Sequence, residues 1–139
     1  MKLVGRFIRL NQHLSQGMAK TFAAHGLNLA SFDVLATLRR AGAPYALSPN
    51  DLLATMMVTS GTMTNRVDQL SKLGFVERKQ NPSDARSVII SLTEKGFAVI
   101  DSAVTDHVAT QARLTSALSA DEQEQLNGLL KKFLTDFES

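Results

Sequence analysis

The fold is decided between residues 48 and 74, where the chain reads SPNDLLATMMVTSGTMTNRVDQLSKLG. Ser48 and Pro49 are a typical helix start, because serine caps the first free amides and proline suits the first helical position. A new helix, capped by Thr59 or Ser60, runs through Leu70 and ends at Leu73 and Gly74. Two short helices with so little between them predict a helix-turn-helix. In the first helix we expect a buried face made of Leu52, Leu53, Met56 and Met57.

The second of these helices has a polar face of small side chains. With about 100° of rotation per residue, Met63, Val67 and Leu70 cluster on one side, while Asn65 and Lys72 fall on the other. An ordinary surface helix more often alternates Glu and Lys. A helix that enters the major groove of DNA needs small residues for close approach, and amides and hydroxyls to contact bases and phosphates. We therefore favour DNA binding over a plain solvated surface.

Arg66 lies on the flank of the buried side of this helix, about 60–70° from its centre. A charge near the core is costly unless it is paired. From its position alone, we expect Arg66 to form a structural salt bridge rather than to contact bases.

Beyond the helix-turn-helix, the sequence pattern changes to that of strands. Residues 75–80 and 87–92 are rich in strand formers, and residues 81–86 are dense in turn formers. This pattern predicts a β-hairpin wing that leans on the helices, since a lone hairpin is marginal. Residues 45–47, before the first of the two helices, are too short to predict more than an extended connector.

The tip of the predicted hairpin carries Asp84 and Arg86. An arginine beside a recognition helix can enter the neighbouring minor groove or clamp a phosphate, and Asp84 can hold it extended. The alternative is an exposed turn with a local ion pair of little energetic value. With a helix-turn-helix upstream, we favour the DNA contact.

The predicted DNA-binding residues come from both helices and the wing: Ser48, Thr59, Ser60, Gly61, Thr62, Thr64, Asn65, Gln69, Lys72, Asp84 and Arg86.

Three long helices are predicted outside this unit, one over residues 3–24, one opening at Thr93 and one capped by Ser119. The second has a predicted apolar stripe: Phe97, Ile100, Val104, Val108, Leu114 and Leu118. The last repeats a cleaner one: Leu126, Leu129, Leu130, Phe133, Leu134 and Phe137. The central unit is too small to cover every stripe, so we expect a two-fold dimer, with recognition helices ~34 Å apart. A monomer that folds its tail back on itself is the alternative.

We therefore predict a mainly α protein with a small β-hairpin. A winged helix-turn-helix DNA-binding domain covers residues 26–96, and N- and C-terminal helices in residues 1–25 and 97–139 form a dimerisation region. Residues 1–96 carry 12 Lys/Arg against 6 Asp/Glu, and residues 97–139 carry 3 against 7. A basic part followed by an acidic one suits a nucleic-acid binder with a separate assembly element.

Composition excludes several other classes of protein. The 139 residues contain no cysteine, so disulfides and thiolate metal sites are excluded. The three histidines, His13, His25 and His107, lack the spacing of a helical metal site, and no nucleophile or phosphate-loop motif is present. Arg6 and Arg9 stand where a signal peptide needs an apolar run. We expect a cytoplasmic protein that is not an enzyme, binds no cofactor and does not enter a membrane.

The sequence closely resembles the MarR family of bacterial transcription regulators. The resemblance is carried by five motifs: LSPNDLL at residues 47–53, TSGTMTNRVDQL at 59–70, GFVER at 74–78, NPSDARS at 81–87 and LTEKG at 92–96. It implies a homodimeric winged helix-turn-helix that usually represses genes. It also implies release from DNA when a small ligand, often a phenolic or anionic aromatic compound, binds between the dimer and DNA domains.

Within that family, FDVLATLRR at residues 32–40 and TNR at 64–66 are most similar to the urate-responsive branch. This resemblance implies a site for a purine-like or phenolic anion made of Asp33, Arg66 and Arg78. One residue of that branch, a tryptophan in an extra N-terminal helix, has no counterpart here, because the chain contains no tryptophan. A winged helix used only for protein contacts, without a ligand response, is the remaining alternative.

Overall fold

The computed structural model describes residues 2–56 and 58–138; Met57, expected on a buried helix face, lies outside the described residues. Nine elements follow one another in these two described ranges: α1 (Lys2–Ala24), α2 (Leu29–Arg40), β1 (Ala46–Leu47), α3 (Pro49–Met56), α4 (Ser60–Lys72), β2 (Val76–Asn81), β3 (Asp84–Leu92), α5 (Glu94–Leu114) and α6 (Ala120–Glu138). This architecture confirms the predicted mainly α winged helix-turn-helix. Within the described residues, no helix combines the length and the apolar run that a membrane crossing requires.

The sheet has three antiparallel strands in the order β1-β3-β2. The prediction of a hairpin alone was therefore incomplete, because residues 45–47 are more than a connector. Ala46 pairs with Ser91 and Leu47 with Ile90. Two residues are too few for an alternating pattern, and their pairing partner lies far along the chain, so the sequence carries no local signal for this strand.

The hairpin turn is tighter than predicted. The strands extend into the segment expected to be a loop, and only Pro82 and Ser83 lie between them. The register shifts between Gln80 and Asn81, and the Asn81 side chain accepts a hydrogen bond of 2.9 Å from the Ser83 amide. This break in the register lets turn-forming residues stand inside a strand.

The core forms where α2 packs against α3, α4, α5 and the sheet. Val34, Leu35 and Leu38 of α2 are fully buried, as are Leu52 of α3 and Ile100 of α5. The three apolar residues that we assigned to the inner side of α4 are also buried, which confirms that assignment. The core therefore holds α4 by one face and leaves its other face to solvent.

Helix α5 meets the winged unit at a glycine. A Cβ atom on Gly96 would lie 1.9 Å from the Phe75 carbonyl oxygen, so only glycine allows this approach. The buried face of α5 continues through Ala103 and Thr110, and the Thr110 hydroxyl lies 2.6 Å from that of Thr21 in α1. Val108, predicted on the buried stripe, is 59% exposed, because α1 and α2 cover a neighbouring face of α5.

Candidate nucleic-acid interface

Two caps set the positions of α3 and α4. The Ser48 hydroxyl accepts a hydrogen bond of 3.1 Å from the Asp51 amide, and the Thr59 hydroxyl accepts one of 3.2 Å from the Thr62 amide. The Thr59 hydroxyl also donates to the Thr62 hydroxyl over 2.9 Å. Ser48 and Thr59, both predicted to contact DNA, are therefore also the N-caps that set where α3 and α4 begin.

The outer face of α4 is exposed and polar. Every residue of α4 that we predicted to contact DNA is exposed: Ser60, Gly61, Thr62, Thr64, Asn65, Gln69 and Lys72. The Thr64 hydroxyl donates 2.9 Å to the Ser60 carbonyl. Within the described residues, the side chains of Asn65, Gln69 and Lys72 make no hydrogen bond, so their donors and acceptors are free for a partner. A Cβ on Gly61 would meet nothing within 4 Å, which leaves room for close approach at the start of the helix.

The wing tip is organised by backbone contacts rather than by an ion pair. Asp84 Oδ1 accepts a hydrogen bond of 3.0 Å from the Arg86 amide, and the Gln80 amide group donates 2.8 Å to the Ala85 carbonyl. No ion pair joins the side chains of Asp84 and Arg86 in the part of the chain that is described. Our expectation that Asp84 holds the arginine was wrong, because that carboxylate is used by the turn. Arg86 is exposed.

An ion pair that the sequence did not reveal joins the wing to the recognition helix. Arg78 of β2 donates from Nη2 to Asp68 Oδ1 of α4. Both side chains are partly exposed, so the pair contributes little free energy. Its effect is positional, because it links the strand that carries the wing to the helix beside it. Ten residues separate the partners, and no helical or strand period connects them.

Arg66 does not form the salt bridge that we predicted. It is half-buried, and within residues 2–56 and 58–138 it has no ion-pair partner. It lines a cleft of about 90 Å³ between the start of α2 and α4, together with Asn28, Ser31 and Gln69. A long arginine side chain can pack its apolar stem against the protein and keep its charge in water, so a half-buried arginine does not require an acceptor within the protein.

Two of the three residues implied by the urate-responsive branch line different clefts of the described part of the protomer. Arg66 lines the cleft beside α2, whereas Arg78 lines a separate cleft of about 210 Å³ with Pro49 and Thr64. Asp33 is exposed on α2 and lines neither cleft. The ligand site stays a prediction.

Asp33 instead lies near His107 of α5, which sequence analysis did not treat as a functional residue. The His107 ring packs on Phe22 and Phe32, with ring centroids 5.0 and 4.9 Å away. Burial lowers the pKa of His107 below 6.5, and the negative charge of Asp33 opposes part of this change. The cluster joins α1, α2 and α5. Among the described residues, no three His, Asp or Glu side chains converge in a way that could hold a metal ion.

Comparison with known proteins identifies the family. A family model described as "MarR family" matches residues 27–88. The HTH-type transcriptional regulator PecS of Dickeya dadantii is 38% identical over 130 residues, which cover 94% of this chain and 78% of PecS. The multiple antibiotic resistance protein MarR of Escherichia coli K12 is 33% identical over 135 residues, which cover 94% of this chain and 90% of that protein.

Solved structures agree with the sequence relatives. A crystal structure of a mutant MarR from Escherichia coli, complexed with operator DNA, superposes with a TM-score of 0.83 at 32% identity. The match covers 94% of this chain and 93% of that one. PecS is named as a transcriptional regulator, so the family to which these matches point is one of transcription regulators and not of enzymes. By its sequence relatives and by its winged helix-turn-helix fold, the chain belongs to the MarR family of transcriptional regulators.

Proposed function

We propose that this protein is a homodimeric, sequence-specific DNA-binding repressor whose two α4 helices enter consecutive major grooves of a pseudo-palindromic operator. It acts in the cytoplasm and is released from DNA by a small anionic aromatic ligand. The observation that carries the proposal is the outer face of α4. Its free amide and ammonium groups, on Asn65, Gln69 and Lys72, stand beside a wing with an exposed arginine, Arg86.

Each part of this surface suits a different kind of DNA contact. An asparagine amide can bond an adenine edge with two hydrogen bonds, so Asn65 is the best candidate for reading sequence. The first-turn residues Ser60 and Gly61 bring backbone amides to the positive end of the helix, which suits a phosphate. Arg86 reaches either the minor groove or the backbone beyond it. The MarR structure with operator DNA supports this docking mode by its similarity of fold.

The dimer is proposed from apolar surface that a single protomer leaves uncovered. A groove of about 410 Å³ is lined mainly by apolar side chains of α1 and α6: Leu3, Phe7, Leu126, Leu129, Leu130 and Phe133. We propose that residues 1–25 and 97–139 form the dimerisation region and residues 26–96 the DNA-binding domain. A two-fold axis through the terminal helices sets the two α4 helices one helical turn of DNA apart, ~34 Å.

The ligand part of the proposal rests on the family resemblance, since Arg66 and Arg78 line two different clefts and Asp33 lines neither. A phenolic or purine-like anion is the ligand class that two arginines would favour. Its direct test is a thermal melt with urate. A ligand that binds the folded state raises Tm, and an unchanged Tm at saturating urate argues against this branch.

The test of DNA binding uses duplex from the region upstream of the protein's own coding sequence. Fluorescence anisotropy is measured against salt concentration for the wild type, Arg86→Ala and Asn65→Ala. The matched control is Lys131→Ala, which removes an exposed charge from α6. We expect Arg86→Ala to lower the salt slope by about 1 per lost phosphate contact. We expect Asn65→Ala to cost ~1–3 kcal/mol of discrimination at one position per half-site.

Two outcomes contradict the proposal. Binding that ignores both salt and sequence indicates a winged helix used for protein contacts, because phosphate contacts release counterions and an apolar contact does not. The repressor role is tested with a reporter gene placed behind the operator. If the protein leaves its expression unchanged or raises it, the repressor role is contradicted, while the DNA-binding part of the proposal still stands.

A further inference from the structure

The two ends of helix α4 are fixed by different parts of the chain. Its N-terminal end is set by Thr59, which stands directly before the helix. At its C-terminal end the chain turns at Gly74, where φ is +80°, and the Phe75 amide donates a hydrogen bond of 3.0 Å to the Leu70 carbonyl. The C-cap residue of α4, Leu73, has a carbonyl that the helix itself cannot satisfy.

Lys95 satisfies that carbonyl from the first turn of α5. Its ammonium donates a hydrogen bond of 3.0 Å to the Leu73 carbonyl oxygen. A lysine is favourable here because the C-terminal end of a helix carries partial negative charge. The two residues are 22 positions apart, so the bond joins α4 to a different helix.

The Lys95 side chain lies over the turn that follows α4. Its Nζ is 5.3 Å from the centroid of the Phe75 ring, within the range of a cation–π contact. Two neighbours of Lys95 hold the same turn: the Thr93 hydroxyl donates over 2.6 Å to the Gly74 carbonyl, and Gly96 packs against the Phe75 carbonyl. Residues 73, 74 and 75 therefore each contact the start of α5.

Helix α5 connects this junction to the proposed dimerisation region. It has 21 residues, which gives it a length of roughly 32 Å. Along that length it packs on α2 and α1, and at its other end Leu114 lies against Gly17 of α1. The bond between Lys95 and Leu73 therefore sets the recognition helix relative to the helices proposed to form the dimer.

The position of this helix end matters because two recognition helices must fit one duplex. One added base pair moves two half-sites about 3.4 Å further apart and rotates one of them by about 35°. Without the Lys95 bond the carbonyl of Leu73 is free, and the end of α4 can shift to accept other spacings. Lys95 is exposed, so its bond adds little to stability, and its main effect is on the orientation of α4.

We propose that Lys95 is a positioning residue for DNA recognition, whose bond to Leu73 fixes the C-terminal end of α4 to α5 and so sets the operator spacing that the dimer accepts. It acts through α4 and makes no phosphate contact of its own. This inference rests on the dimeric DNA-binding function proposed above.

The test compares Lys95→Met with two other variants. Methionine keeps the apolar stem and removes the donor and the charge. Lys95→Arg restores both, and Lys131→Met removes the charge of an exposed lysine of α6. Fluorescence anisotropy against salt concentration is measured with the operator from the upstream region, and with duplexes in which one base pair is added or removed between the half-sites. Thermal unfolding and sedimentation check Tm and dimer mass.

We expect Lys95→Met to bind the natural spacing about 10-fold more weakly, which is the size of one mismatched base pair. It should also discriminate less than the wild type between the natural and the altered spacings. Its salt slope should match that of Lys131→Met. Lys95→Arg should recover the wild-type preference, because a guanidinium also donates to a carbonyl.

Three outcomes overturn the inference. A salt slope lower by about 2 than that of Lys131→Met, from one cation per protomer at ~0.9 each, would show that Lys95 contacts phosphate directly. A lower Tm with the wild-type spacing preference would show that the bond serves stability alone. Wild-type affinity and spacing preference in Lys95→Met would show that the end of α4 is fixed without it. If the wild type shows no salt-dependent binding to the upstream duplex, the proposed function fails together with this inference.

Discussion

Helices α4 and α6 carry apolar stripes of similar regularity, yet only one of them is buried. In α4, Met63, Val67 and Leu70 lie in the core under α2, α3 and the sheet. In α6 no described residue is buried, and Leu129 and Phe137 are 65% and 73% exposed. An apolar stripe therefore predicts that one face of a helix is covered. Which element covers it depends on the rest of the structure. For α4 the cover is the same chain, and for α6 we propose a second copy.

The largest effect is expected from charging the uncovered stripe. Leu129→Asp/Phe133→Asp places two carboxylates in the groove between α1 and α6, where a dimer would bury them unpaired. We expect a monomer in sedimentation velocity at micromolar concentration and a loss of operator binding of about 100-fold or more.

The control is Leu29→Asp, which charges an equally exposed leucine at the start of α2. That variant should stay dimeric, since an acidic residue at a helix start is favourable. If the α6 variant remains a dimer, the two regions do not differ in the way that we propose.

A second comparison makes the same substitution, glycine to alanine, at two positions. Gly96→Ala puts a Cβ 1.9 Å from the Phe75 carbonyl oxygen, so α5 must move away from the winged unit. We expect a loss of about 2–4 kcal/mol in the free energy of unfolding. Gly128→Ala in α6 meets nothing within 4 Å and should instead gain about 0.5–1 kcal/mol of helix propensity.

Urea unfolding measures both glycine variants. A Gly96→Ala protein as stable as the wild type would mean that this contact can relax without cost. A loss in Gly128→Ala would mean that a second copy approaches α6 closely at this position.

Most of the fold could be predicted from the sequence because its signals are local. Caps at Ser48 and Thr59 and the apolar period of α4 lie within a few residues of what they determine. The missing parts depend on distant partners. Strand β1 exists only because β3 pairs with it, and Arg78 meets Asp68 only once the sheet has placed it beside α4.

The candidate site shows the same limit. The exposed face of α4 follows from helix periodicity, so sequence alone identified its polar residues. The partner of each charged side chain could not be predicted from helix periodicity. Arg66 has no ion-pair partner among the described residues where we expected one, and Asp84 serves the turn rather than Arg86. Side chains of this length reach several acceptors, and their choice depends on packing that periodicity does not contain.

A smaller difference is expected between two helix caps of the same chemistry. Thr93 caps α5, accepting 3.0 Å from the Gly96 amide and donating 2.6 Å to the Gly74 carbonyl. Ser119 caps α6, accepting 3.2 Å from the Glu122 amide. Thr93→Ala should cost about 1–2 kcal/mol because a part-buried carbonyl loses its donor. Ser119→Ala should cost about 0.5 kcal/mol, since the capped helix ends in solvent. Thermal unfolding of both variants checks the order, and equal losses would mean that α6 unfolds together with the core.

The smallest effect concerns pH, at the His107 cluster that joins α1, α2 and α5. Burial against Phe22 and Phe32 lowers the pKa of His107 below 6.5, so folding favours the neutral imidazole. Its contribution to stability is therefore present above the pKa of the unfolded chain and is lost as the pH falls through the lower folded value. Nδ1 of His107 is buried without a hydrogen-bond partner among the described residues, so protonation gains no compensating acceptor there. Asp33 nearby weakens the effect.

We expect the Tm of the wild type to fall more between about pH 7.5 and pH 5 than that of His107→Phe, which keeps the ring packing and cannot be protonated. His13→Phe, at an exposed histidine of α1, should retain the full wild-type loss. Carboxylates also titrate over this pH range and lower the Tm of every variant. The test is therefore the difference in the fall of Tm between the wild type and each variant. Equal losses in all three proteins would mean that the His107 cluster opens to water in the folded dimer, and α5 would then be held to α2 by the core leucines and by Arg39 with Asp101.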